Sequence, residues 1–170
     1  MSRFNTGITL PTYQQQYINL TNGDSIAELM ANHSQSLLAF YTSIPEEKAD
    51  YSYAEGKWTV KQLLQHTIDA ERILTYRVMC ISRNEPMPFN AFNENSYANF
   101  ATVSHRTLAN LKEEFFLLRQ SSDILFTSFT EEQLNRRGVV NKNVVTVNAI
   151  CYILFGHNIH HQNILQEKYL

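Results

Sequence analysis

The chain has 170 residues, of which 44% are hydrophobic and 18% charged, and its formal net charge is -2. This length and apolar content predict a single domain over residues 1–170 with a substantial core. The nearly balanced charge, with no basic cluster beyond Arg136 and Arg137, excludes the electrostatic pattern of proteins that bind nucleic acid or an anionic membrane surface.

The first 43 residues predict an irregular arm followed by a helix. Residues 1–23 are polar with scattered aromatic side chains, and their periodicity is too weak for a long helix, so we interpret them as an arm packed on the body. Residues 25–43 keep their apolar side chains at helical spacing, with Asp24 or Ser25 as the cap. His33 has no second ligand-type residue one turn away, and we expect it to have a structural or surface role.

A second helix is predicted over residues 60–83, with Thr59 as its N-cap and a nearly heptad apolar stripe. Glu71 falls in the middle of that stripe, where a carboxylate is expected to be neutral, paired or itself a metal ligand. The alternative to a functional role for Glu71 is an ion pair with an arginine such as Arg72 or Arg77.

Residues 84–103 contain two prolines, several asparagines and four large aromatic residues, and they are not predicted to be helical throughout. A connection of this length is often functional, as a lid or as a crossover. The second helix is about 36 Å long at 1.5 Å per residue, and roughly a dozen extended residues traverse that distance. The second and third helices can therefore run parallel.

The third helix is predicted to begin at Ser104 as its cap and to extend to Phe129, with the most regular apolar stripe in the chain. His105, in its first turn, has no partner nearby and is expected to face solvent. Residues 136–143 predict a turn with two short strand-like arms.

The fourth helix is predicted over residues 147–168, with Thr146 as its cap, and it contains three of the six histidines. His157 and His161 are separated by one turn and lie on or at the edge of the apolar face. His160 points roughly a right angle away from that face, so we expect it at the surface or at an interface.

Two imidazoles on one helix face can meet one metal ion, although buried histidines are also satisfied by ordinary hydrogen bonds. The three-ligand geometry of catalytic zinc sites requires a third nitrogen from another element, and His66 is the best candidate beside His157 and His161. Asp69 lies one turn from His66, close enough to orient its imidazole or to contact a water on the metal.

Three features of the sequence bear on the cellular compartment: the length of its apolar runs, its first residues and its cysteines. No apolar run approaches the length of a membrane span, and residues 1–5 lack the apolar segment of a signal peptide. Cys80 and Cys151 have neither metal-finger spacing nor the pattern of a disulfide framework, so both are interpreted as ordinary thiols, with Cys151 in the core. We therefore expect a cytoplasmic protein.

Four groups of motifs, in this order, resemble the DinB superfamily over nearly the whole chain. They are residues 56–61 with the ligand segment 66–72, the linker 88–97, the turn 137–147 and the final segment 156–161. The resemblance implies an all-α four-helix bundle with up-down-down-up topology and long connections, frequently assembled as a homodimer. It also implies a divalent metal ion, zinc or nickel, held by His66, His157 and His161.

Members of this superfamily include hydrolases and metal-dependent transferases that activate a low-molecular-weight thiol. The leading hypothesis is a hydrolase in which the metal lowers the pKa of a bound water for attack on a small substrate, while Asp69 or Glu71 orients the nucleophile or moves its proton. The first alternative is a metal-dependent thiol (S-)transferase. The second is a non-catalytic metal-binding bundle, whose signature would be a fourth protein ligand; the sequence offers none of comparable quality.

Overall fold

The structure is a computed structural model that describes residues 9–170. Four long helices form a bundle; one short helix precedes them, and two short α-helices, a 3-10 turn at Glu46–Lys48 and one hairpin lie in their connections. In chain order the elements are α1 (Thr12–Asn19), α2 (Ile26–Ser43), α3 (Val60–Ser82), α4 (Glu94–Phe100), α5 (Leu108–Thr127), α6 (Glu131–Asn135), β1 (Arg137–Val140), β2 (Asn143–Thr146) and α7 (Val147–Lys168).

Three of the four long helices begin at the caps that the sequence predicts. The side chains of Ser25, Thr59 and Thr146 each accept a hydrogen bond from the backbone N–H three residues later. Thr59 also completes a capping box, because its backbone N–H donates to the side-chain oxygen of Gln62. These caps fix where α2, α3 and α7 begin.

The predicted start of the third long helix is wrong. Thr107, not Ser104, caps α5, and its hydroxyl accepts from the Asn110 N–H at 3.1 Å. Residues 103–106 form a turn instead, closed by a hydrogen bond from the Arg106 N–H to the Val103 carbonyl. His105 therefore precedes the helix, and it is exposed as expected.

Polar contacts between α3 and α5 show that these helices run in the same direction. Near their first turns, Arg106 donates to Gln65 at 2.7 Å. About three turns further along α3 and about four turns further along α5, the hydroxyls of Thr75 and Ser122 lie 3.3 Å apart. The parallel arrangement that the long connection permits is confirmed.

The same reasoning orients α2 and α7. Tyr152 donates to the Gly23 carbonyl just before α2, and Tyr41 near the end of α2 donates to the Asn158 carbonyl further along α7. These two helices are therefore parallel. Helices α7 and α3 are antiparallel, because the Tyr169 hydroxyl after the end of α7 donates to the Trp58 carbonyl just before α3. The long helices therefore have the up-down-down-up topology.

Helix α1 lies across α7 at Gly156. A Cβ atom at this position would lie 2.0 Å from the carbonyl oxygen of Tyr17, so only glycine permits the contact. The predicted packing of the N-terminal arm on the body is confirmed for its described part, although residues 12–19 form a helix. Residues 1–8 of that arm lie outside the described residues.

The connection between α3 and α5 is not helical throughout, as the sequence predicts, and the structure adds the short helix α4 within it. The first part of this connection is hydrogen-bonded to the hairpin: the Phe89 N–H donates to the Val139 carbonyl at 2.8 Å, and the Phe89 carbonyl accepts from the Asn141 N–H at 2.9 Å. Asn141 and Lys142 have φ angles of 48° and 65°, which a two-residue hairpin turn of this kind requires. The two predicted strand-like arms are confirmed.

The core lies between the four long helices, and α7 is buried nearly all round over its first three turns. Cys151 lies in this core, where burial raises the pKa of its thiol, and Cys80 is half-buried on α3.

None of the helices in the described part of the chain combines the length and apolarity needed to cross a membrane.

Candidate metal centre

Three imidazoles converge between α3 and α7. The Nε2 atom of His157 lies 3.1 Å from Nε2 of His66 and 3.1 Å from Nε2 of His161. All three side chains are buried. Helix α7 supplies two rings because one turn separates them, and α3 supplies the third because it packs antiparallel on α7.

The spacing of these nitrogens fits one divalent ion. Two nitrogens that each lie about 2.05 Å from a zinc ion are about 2.9 Å apart at a right angle and about 3.3 Å apart at the tetrahedral angle. The observed 3.1 Å lies between these values. Within residues 9–170, these three histidines are the one group of ligand-type side chains whose donor atoms come this close together.

Burial keeps the three imidazoles neutral, which is the form that binds a metal. It lowers the pKa of His66 to about 4 and that of His157 to about 3. The pKa of His161 is also lowered, first by burial and then by the neighbouring His157 and His66 rings. At neutral pH each ring therefore presents a lone pair without having to release a proton.

Two aromatic side chains that the sequence did not select enclose the cluster. The Trp58 ring lies 4.9 Å from the His66 ring, and the Tyr17 ring meets the rings of His157 and His160 edge-on at 5.5 Å. Trp58 immediately precedes the cap of α3, a position that signals contact with the first turns of that helix. Tyr17 carries no such signal, because its contact depends on how α1 lies over Gly156.

The remaining histidines lie where the sequence places them. His160 is half-buried on the Tyr17 side and outside the nitrogen cluster, 5.1 Å from the His161 ring. His33 accepts a hydrogen bond from the Asn22 N–H at 2.9 Å, which is a structural role. The assignment of His157 and His161, rather than His160, to the inner side of α7 therefore agrees with the structure.

Asp69 does not contact the imidazole that it was expected to orient. Its carboxylate accepts from Gln65 at 2.9 Å, and Gln65 in turn accepts from Arg106 at the seam between α3 and α5. In the described part of the chain no hydrogen bond joins Asp69 to His66. Burial is the main cause that raises the pKa of the Asp69 carboxyl, although Gln65 and nearby arginines oppose the rise.

The alternative of an ion pair between Glu71 and an arginine is confirmed, but the two arginines named as examples are wrong. The Glu71 carboxylate faces Arg119 of α5 at 3.0 Å, not Arg72 or Arg77, because its position in the middle of the α3 stripe turns it towards the bundle interior. Ser122 donates to one oxygen at 2.7 Å and Asn158 to the other at 3.0 Å. The carboxylate therefore joins α3, α5 and α7, and it lies outside the nitrogen cluster.

Two cavities reach the cluster from different sides. One, of about 360 Å³, lies between α1, α3 and the connection after α3, and His157 forms part of its wall. The other, of about 260 Å³, has an aromatic wall that includes Trp58 and Tyr169 and reaches His161. The arrangement is a buried nitrogen cluster with room beside it for a small molecule.

The fold is a four-helix bundle whose second and fourth long helices bring together three histidines with ligand atoms within reach of one metal ion. The chain belongs to the DinB superfamily, because the family model matches residues 29–165. No curated protein matches the chain significantly in sequence.

Among solved structures, the chain is similar to YfiT from Bacillus subtilis, described as a probable metal-dependent hydrolase with an unusual four-helix bundle topology. The TM-score is 0.70, the sequences are 15% identical, and the match covers 94% of this chain and 87% of that one. At this identity the likeness shows the shared fold.

Proposed function

We propose that this protein is a metal-dependent hydrolase of small substrates, with zinc or nickel held by His66, His157 and His161. The observation that carries the proposal is the convergence of three neutral, buried imidazoles beside a cavity, with Nε2 of His157 3.1 Å from Nε2 of both His66 and His161. Membership of the DinB superfamily and the description of YfiT as a probable metal-dependent hydrolase support it.

The donor set favours catalysis over a purely structural metal. Structural zinc sites are closed by four protein ligands, whereas catalytic sites keep a position for water or substrate. Within residues 9–170, no fourth histidine, cysteine or carboxylate joins the three nitrogens. A bound divalent ion would lower the pKa of a water towards 7 and polarise a substrate carbonyl.

The residues of the chain prepare the site for that chemistry. Burial keeps the three imidazoles neutral, and the Trp58 and Tyr17 rings exclude bulk water from two sides of the cluster. Asp69, whose pKa is raised by burial, is proposed as the group that takes up or releases the proton near His66. A similar role for Glu71 stays a prediction, since both of its oxygens already accept hydrogen bonds.

Metal-dependent thiol transfer is the competing reaction of the same site. Cys151 lies in the core and Cys80 is outside the nitrogen cluster, so the thiol of such a reaction would come from solution. The two reactions differ in what the purified, zinc-loaded protein requires. A hydrolase turns over small esters and amides without added thiol, and its activity rises with pH through an apparent pKa near 7.

The test is therefore turnover of a panel of small esters and amides with and without cysteine as a model thiol. Hydrolysis without cysteine that is lost in His66→Ala supports the proposal. Saturable turnover that occurs only with cysteine would replace hydrolysis by thiol transfer. Zinc binding with no turnover in either condition, together with complete unfolding on chelation, would favour the structural metal.

A homodimer is proposed as well, because the family resemblance implies one. Leu117 and Ile124 lie two turns apart on the outer side of α5 and are 57% and 72% exposed, so they offer apolar area for a second subunit. Sedimentation equilibrium is expected to give a dimer for the natural protein and a monomer for the variant Leu117→Asp/Ile124→Asp. A monomeric natural protein would contradict the proposal.

A further inference from the structure

The larger of the two cavities beside the histidine cluster has, in its wall, a buried cation that forms no ion pair with any acidic residue that the structure describes. Arg77, which is 7% exposed, forms part of its wall. One guanidinium nitrogen donates to the Asn90 carbonyl at 2.6 Å, and the group lies 5.8 Å from the Phe92 ring. Glu94 lines the same cavity, but among the described residues no carboxylate forms an ion pair with Arg77. Arg119, the other deeply buried arginine, is neutralised by two carboxylates.

A cation in this position is poorly compensated. Removing a charge from water is unfavourable unless an opposite charge or several hydrogen bonds replace the water. A single backbone carbonyl satisfies only one of the five N–H donors of a guanidinium. Burial accordingly lowers the pKa of Arg77. The cavity wall therefore holds unused donor capacity that an anion entering the cavity would satisfy.

A second buried polar group lines the same cavity. Gln14 of α1 is 7% exposed, and its Oε1 atom accepts no hydrogen bond from the described residues. Its Nε2 atom donates to the Tyr13 hydroxyl at 3.1 Å, which leaves the carbonyl oxygen as the free function. The cavity thus offers an acceptor on α1 in addition to the donors on α3.

The helix periodicity connects Arg77 with the metal centre. Residues 66, 70, 74 and 77 lie on one face of α3, and the apolar side chains of Ala70 and Leu74 form the wall between His66 and Arg77. Eleven residues of helix correspond to about 16 Å along the axis. Arg77 and His157 both form part of the cavity wall, so a molecule that spans the cavity can have one end at each.

We propose that this cavity binds a small organic carboxylate, with the carboxylate on Arg77, a hydrogen-bond donor of the molecule on Gln14 Oε1 and an apolar body along α3. A guanidinium fork matches a carboxylate in geometry as well as in charge. This proposal rests on the proposed function, because the carboxylate would be part of the substrate and the substrate's reacting group would lie at the His157 end of the cavity.

The competing account gives Arg77 a structural role alone, as the tie that holds the connection after α3 through Asn90. A structural tie would not make the cavity prefer an anion. The distinguishing observation is therefore ligand selectivity, measured with two probes of the same shape. Butyrate and butyramide meet this requirement, because they differ in the charged group and share the apolar body.

The experiment is a titration of the full chain, with and without zinc, followed by NMR chemical shifts. In the zinc-free protein, butyrate is expected to shift the signals of Ala70, Leu74 and the Arg77 side chain, and butyramide is expected to bind at least about tenfold more weakly. Arg77→Gln should weaken butyrate binding about tenfold or more, and Arg77→Lys by less. Arg83→Gln, an exposed arginine at the end of α3, is the matched control and should change nothing.

Three results would overturn the proposal: equal binding of butyrate and butyramide, butyrate shifts that map outside the cavity, or binding of inorganic phosphate without butyrate. If Arg77→Gln does not fold by circular dichroism, the shifts of the natural protein with the two probes decide alone. Binding is measured without zinc and without turnover, so its failure leaves the hydrolase proposal standing. Conversely, a protein that fails to hydrolyse any substrate can still bind butyrate here.

Discussion

The Glu71 carboxylate lies 3.0 Å from the Arg119 guanidinium, and neither side chain is exposed to solvent. Hydrogen bonds from Ser122 and Asn158 to the same carboxylate extend the contact to α7. Arg119 also lies over the Phe155 ring at 4.5 Å. This polar group inside an apolar bundle links the helix that carries His66 with the helix that carries the other two imidazoles.

Removing the charge of Glu71 is expected to destabilise the fold strongly. Glu71→Gln leaves Arg119 buried with only part of its compensation, and breaking a buried ion pair in this way costs about 3–5 kcal/mol of unfolding free energy. Urea denaturation of the zinc-free protein measures the loss. Glu132→Gln, which removes an exposed pair with Arg136, is the control and should change stability by less than about 1 kcal/mol.

The same variant separates stability from catalysis. If Glu71 also moves a proton, the correctly folded fraction of Glu71→Gln will lose turnover as well as stability. A stability loss below about 1 kcal/mol would contradict the structural role derived from the Arg119 contact.

Asp69→Asn is expected to keep the metal and the fold while losing turnover by about a hundredfold or more, as removal of a proton-transferring group does. The change is isosteric, and Gln65 can still hydrogen-bond the new side chain. Metal content, urea denaturation and steady-state kinetics together make the test. Glu113→Gln, an exposed acid on α5, is the control. Turnover within twofold of that of the natural protein would show that Asp69 contributes only to the contact between α3 and α5.

Gly156→Ala should separate α1 from the bundle. The added Cβ would lie 2.0 Å from the Tyr17 carbonyl oxygen, and backbone on both sides leaves no flexible side chain to move. Overpacking of this kind costs about 1–3 kcal/mol. Hydrogen exchange of residues 12–19 is expected to accelerate, while Gln166→Ala, an exposed change on the same helix, leaves it unchanged. Unaltered exchange in Gly156→Ala would show that α1 does not depend on this contact.

Acid should destabilise the metal-free protein through the buried imidazoles. In the native state the pKa of His66 is about 4 and that of His157 about 3, against 6.5 without burial. Between pH 6.5 and 4 the unfolded state therefore binds more protons, so stability is full above pH 6.5 and falls as the pH decreases. The slope is about 1.4 kcal/mol per pH unit for each imidazole.

Urea denaturation at several pH values measures that slope. His66→Gln should reduce it by the share of one imidazole. A slope that stays the same in His66→Gln would contradict the burial of that imidazole.

The sequence predicted the parts of the fold that depend on local chemistry. Hydroxyl caps and apolar stripes located α2, α3 and α7, and the one-turn spacing of His157 and His161 fixed both on the inner side of α7. The third helix start was misplaced because Ser104 and Thr107 are both good caps, and only the turn over residues 103–106 decides between them.

The parts that the sequence did not reveal depend on contacts between distant segments. Arg119 shares a heptad face with apolar neighbours, and nothing local indicates that its partner is a glutamate on another helix. Tyr17 belongs to a segment with weak periodicity, and its contact with His157 arises only when α1 lies over Gly156. Arg77 likewise stands out only through a cavity that segments distant in the sequence form together.

The central claim is that the three Nε2 atoms hold one metal ion, and elemental analysis of protein purified without a histidine tag tests it most directly. We expect about one divalent ion per chain, as a single three-nitrogen site binds one. His66→Ala, His157→Ala and His161→Ala should each lose most of it. His160→Ala is the control and should keep it, because that ring lies outside the cluster. Unchanged metal content in His161→Ala, or its loss in His160→Ala, would contradict the site and the orientation of α7 that places it.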